Sequence, residues 1–131
     1  MKSSIGLKWL PIITFLIITP CGTNTLCFPL LITLPVGVLA GDFHGILPII
    51  GIVSIIYSNN RSPMINKALF IIGLLLLIAS ISDNIRSSIL NKSYDYVWNN
   101  NITYLTISLF LICSLISIYF VFFTDYKKYK I

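Results

Sequence analysis

Three runs without a charged side chain, residues 9–41, 68–82 and 96–124, constrain this chain more than any other feature. A bilayer's hydrocarbon core takes roughly 20 residues of helix, and uncharged apolar runs of this order read as membrane spans. A soluble domain usually carries about 25 % charged residues to cover its surface. Here the share is 10 %, hydrophobic residues make up 56 %, and glutamate is absent. The same composition excludes disorder, which requires few apolar residues. The expected fold is an all-α integral membrane protein, a single membrane domain over 1–131 built as a four-helix bundle.

The final span is the clearest in the sequence. Residues 102–123 are uncharged, with Tyr104 at one end and Tyr119, Phe120, Phe122, Phe123 and Tyr126 at the other. Aromatic belts of this kind sit at headgroup level. The third span is expected over 64–85, with Lys67 extending its ammonium to the interface. Asp83 and Arg86 stand three apart, close enough to pair on one helical face at the membrane surface. Residues 9–57 hold one acid and one histidine and are long enough for two crossings. The polar stretch 20–25 is the natural turn between them, giving spans over 5–25 and 33–57.

Charge distribution sets the orientation. With four spans, Lys2, Lys8, Arg61, Lys67, Lys127, Lys128 and Lys130 lie on one side, and Arg86 and Lys92 on the other. The positive-inside rule then places both termini and the loop 58–63 in the cytoplasm and the loop 86–101 outside. Three or five spans would separate the two lysine-bearing ends. The start has a signal-like order, with lysines ahead of an apolar run, but no small-x-small cleavage site follows. Proline before Cys21 is wrong for a lipoprotein site, so an uncleaved first span is expected. Heavy use of isoleucine, asparagine, serine and lysine points to an AT-rich, bacterial gene, and hence to the inner membrane.

The two halves differ in character. Pro11, Pro20, Pro29, Pro35 and Pro48, with six of the seven glycines, precede residue 58. Proline removes a helix donor and glycine loosens the backbone, so the first half is expected to be kinked or broken. Gly37, Gly41 and Gly45 recur every fourth residue, the small-xxx-small spacing that lets a neighbouring helix approach closely. Asp42 and His44 lie within that repeat, and ionisable groups at membrane depth are candidate functional residues. On a continuous helix two residues apart point about 200° from each other, so a shared site requires the helix to unwind. Cys21 and Cys27 flank the expected outer turn, where a disulfide or soft-metal binding is chemically sensible. Cys27-Phe28-Pro29 resembles the corresponding element of MerC-type mercury transport proteins, but over three residues only, and there the paired cysteines stand two apart. Cys113, in the middle of the last span, reads as a packing residue.

No phosphate-binding loop, serine elbow, zinc helix motif or pair of neighbouring carboxylates is present, so enzymatic activity is not expected. No cofactor is expected, and the net charge of +5 contains no cluster suited to nucleic acid. The expected partners are the lipid bilayer and another membrane protein. The leading function is intramembrane helix–helix binding, as an accessory subunit or as an immunity-type protein against a pore-forming toxin. The alternative is a small transporter or metal-ion carrier in which Cys21, Cys27, Asp42 and His44 form the polar site, the two cysteines and His44 being its metal ligands.

Overall fold

The computed structural model describes residues 2–19, 30–39, 45–58, 63–90, 92, 99 and 101–126. Among them are five helices and no strand: α1 (Lys2–Ile17), α2 (Leu30–Leu39), α3 (Ile46–Ser58), α4 (Pro63–Leu90) and α5 (Asn101–Tyr126). Two are long and apolar enough to cross a membrane, over Met64–Leu90 and Asn101–Phe123. They contain the expected spans 64–85 and 102–123. Four crossings are not shown, because α1, α2 and α3 have 16, 10 and 13 residues.

The first half departs from the expected spans where its sequence weakens the helix. The expected span 5–25 is shortened: α1 ends at Ile17 and Thr19 is non-helical. Thr19 precedes Pro20, and a proline ring disfavours helical backbone in the residue before it. The expected span 33–57 is not one α-helix. α2 carries Pro35 and ends at Leu39, Gly45 stands in a 3₁₀ turn, and α3 begins at Ile46. α4, by contrast, opens on Pro63, whose missing N–H costs nothing at a first helical position. It runs past the expected boundary at 85 to Leu90. Beyond it Lys92 takes a left-handed φ of 57° and its N–H bonds the Ile89 carbonyl, which closes the helix.

Neighbouring long helices run antiparallel. Along α1 and α5, Leu7 meets Ser117, Phe15 meets Phe110 edge-on at 5.7 Å, and Thr19 meets Thr103. α3 and α4 form a hairpin whose crossing point is a pair of glycines. A Cβ on Gly51 would lie 2.9 Å from the Gly73 carbonyl oxygen, and one on Gly73 2.8 Å from that of Gly51. α4 and α5 meet where Lys67 lies over the Phe122 ring. One end of the molecule therefore gathers the start of α1, the end of α3, the start of α4 and the end of α5. The core fills the junction of these four helices with Ile12, Phe15, Ile55, Phe70, Leu74, Leu77 and Phe110.

The α1–α5 seam is built from hydroxyls. Thr103, Thr106, Phe110, Ser114, Ser117 and Val121 are the buried residues of α5, spaced three and four apart on one face. Pro11 lies inside α1 and has no N–H to give to the Leu7 carbonyl one turn earlier. Ser117 supplies the missing donor from α5, its Oγ 2.7 Å from that oxygen. Where α1 ends, the Ile18 carbonyl accepts from the Leu30 N–H at 2.9 Å and the Thr19 carbonyl from Thr103 Oγ1 at 2.9 Å. Backbone groups freed by proline and by the helix end are thus met by neighbouring segments, as they must be where water is excluded.

Candidate functional site

The most unusual buried group described is Lys8. The buried positions of α1 are Lys8, Pro11, Ile12, Thr14 and Phe15, with Ile18 buried just beyond its end. Lys8 is the charged member of this largely apolar face, so burying the face draws the lysine into the bundle. It is 4 % exposed. Its ammonium donates to Ser58 Oγ at 3.3 Å, at the end of α3, and to Asn66 Oδ1, in the first turn of α4. It also stands 5.9 Å from the centre of the Phe70 ring. Ser58 in turn donates to the Ile55 carbonyl at 2.6 Å. A buried charge is tolerated only when hydrogen-bonded and paired, and here the bonds are shared among α1, α3 and α4. The arrangement fixes the relative positions of three helices at the end where α4 begins.

A second cation lies one turn into α4. Lys67 is half-buried, and its ammonium stands 5.5 Å from the centre of the Phe122 ring. One turn further along α4 a groove of about 450 Å³ opens between α4 and α5, lined by Ile71, Ile118, Phe122 and Phe123. Phe122 is common to both, so the charge sits at the mouth of an apolar channel.

Cys21, Cys27, Gly41, Asp42 and His44 lie outside the described residues, and with them the polar site and its metal-binding alternative. Gly37 is on α2, and Gly45 is buried directly ahead of α3. Among the described residues, Gly51 and Gly73 approach each other closely. No spacing within either helix announces that pair, because its partner lies in another helix. The signals that could find the rest are the hydroxyls Thr103, Thr106, Ser114 and Ser117 at helical spacing and a lysine, Lys8, next to an apolar run. Among the described residues no three His, Cys, Asp or Glu side chains gather as a metal site. Cys113 is a free, half-buried thiol on α5. Comparison of the chain with models of known families, with curated proteins and with solved structures finds no match.

Proposed function

We propose that the chain is a multi-pass bacterial inner-membrane protein that acts by helix–helix binding within the bilayer. It would be an accessory subunit of a larger membrane complex or an immunity-type protein against a pore-forming toxin. In this reading the chain crosses four times, with α2 and α3 together forming one discontinuous crossing and both termini cytoplasmic.

The observation that carries the membrane part is the inverted polarity of α5. Its inward face holds Thr103 and Ser117, both 0 % exposed, while Leu105 and Leu115 on the outward face are 71 % and 67 % exposed. Only 28 % of this stretch and 33 % of the corresponding stretch of α4 are buried inside the molecule. The core helix of a soluble protein would be mostly covered, and an uncovered apolar face this large would promote association. Ser82 and Ser108, exposed on the same helices, donate to their own chain at Ile78 and Tyr104. That local bond serves a hydroxyl facing hydrocarbon.

Binding rather than chemistry is favoured by the use of the interior polar groups. Lys8, Thr103 and Ser117 are spent on joining helices. A photo-crosslinking residue at Leu105, Ile112 or Leu115 tests the reading in native membranes. The expected product is a discrete adduct with one other membrane protein. Lipid adducts alone at all three positions, with no partner retained in mild detergent, would sink it. Protection of expressing cells from a pore-forming toxin would select the immunity role over the subunit role.

A further inference from the structure

We infer that the groove between α4 and α5 is a binding site for an anionic phospholipid of the leaflet at which α4 begins, its phosphate held by Lys67 and an acyl chain lying along the groove. The inference rests on the membrane reading above and adds a ligand to it.

The occupant follows from charge and shape together. Among the described residues the groove is lined by Ile71 on α4 and by Ile118, Phe122 and Phe123 on α5, all apolar. Its volume, about 450 Å³, is within the range of small-molecule sites. It opens along the outer surface of the bundle, where lipid is the adjacent medium. Lys67 precedes Ile71 by four residues and so lies above it on the same face of α4. Phe122 follows Ile118 by four residues on α5, which runs the other way. The groove therefore has a charged end, where α4 starts and α5 ends, and an apolar end deeper in the bundle.

The Lys67 ammonium lies over the face of Phe122 at the charged end of the groove. A half-buried ammonium resting on an aromatic ring at membrane depth is stabilised by an anion, and lipid phosphate is the anion at that depth. A zwitterionic headgroup offers the same phosphate but places a compensating cation beside it, next to Lys67. Basic pockets between membrane helices hold anionic headgroups by this same combination of charge and cleft.

The test uses full-length protein extracted in mild detergent, delipidated and examined by native mass spectrometry. Dioleoyl phosphatidylglycerol and dioleoyl phosphatidylcholine are titrated in parallel. The expected result is one phosphatidylglycerol retained in preference to phosphatidylcholine, and binding weakened roughly fivefold in Lys67→Gln, the worth of one lysine beside an anionic headgroup. Lys67→Arg should retain it. Ile118→Trp, which fills the groove without touching the charge, should weaken both lipids. Equal retention of the two lipids by the unaltered chain, or unchanged phosphatidylglycerol binding in both Lys67→Gln and Ile118→Trp, overturns the proposal. Fractionation separates the two readings. Recovery in carbonate-washed membranes without lipid preference rejects the lipid site alone, whereas recovery in the soluble fraction rejects both.

Discussion

Glycine at 51 and 73 is required by backbone approach, not by backbone conformation. A Cβ at Gly73 would meet Ile55 Cγ1 at 2.5 Å as well as the Gly51 carbonyl oxygen. The side chain could turn away, but the backbone oxygen cannot move without parting α3 from α4. Gly73→Ala should therefore destabilise the protein by about 1–3 kcal/mol, the usual cost of overpacking. Gly6, with nothing within 4 Å of its Cβ position, provides the control. Gly6→Ala should be neutral or stabilising by up to about 1 kcal/mol, since alanine is the better helix former. Thermal unfolding in detergent decides between them, and equal behaviour of the two variants would remove the glycine crossing as a constraint. Lys8 makes a different kind of demand. Lys8→Met keeps the stem but removes the ammonium from Ser58 and Asn66, and leaving buried polar groups unmet costs about 1–3 kcal/mol. Combined with Asn66→Leu, the loss should be less than the sum of the two single losses. Strict additivity would mean that the two side chains act independently.

At the level of helices, the α1–α5 seam links a proline to a serine 106 positions away in sequence. Pro11 leaves the Leu7 carbonyl without its helical donor, and Ser117 replaces that donor from α5. An interhelical hydrogen bond in a membrane protein averages about 0.6 kcal/mol. Ser117→Ala should cost more, about 1–3 kcal/mol, because it orphans a buried carbonyl as well as losing a bond. Pro11→Ala should largely rescue it by restoring an N–H within α1. Thr103→Val on the same seam has no proline partner in α1, so Pro11→Ala should not relieve its effect. Measured by unfolding in detergent, a rescue of Thr103→Val as large as that of Ser117→Ala would show that the proline acts on helix stability in general. The hydroxyl stripe was readable from α5 alone, but the carbonyl it serves was not. That pairing depends on the register between two helices almost a whole chain length apart.

For the molecule as a whole, the geometry gives the topology prediction a second basis. Under the proposed four crossings, the seven-to-two division of basic residues would put both termini and the loop 58–63 on one side. The start of α1, the end of α3, the start of α4 and the end of α5 meet at one end of the bundle through Lys8, Ser58, Asn66, Lys67 and Phe122. Reporter fusions after residues 62 and 131 should both score cytoplasmic, and a fusion near Asn91 should score external. Opposite signals at 62 and 131 would reject the four-crossing reading. The sequence by itself determined that the chain is helical, the position of its two helices long and apolar enough to cross a membrane, and the breaks in its first half. Each of these depends on quantities that add along the chain: transfer of apolar side chains to hydrocarbon, missing proline donors and glycine freedom. Only the tertiary structure decided which glycines touch, which hydroxyl meets which freed carbonyl, and where the buried lysine finds its partners. These depend on the relative register and rotation of helices, which many alternative packings of the same apolar faces would satisfy about equally well in hydrophobicity. Close approach at Gly51 and Gly73 and the bonds of Lys8 and Ser117 distinguish the observed packing from those alternatives.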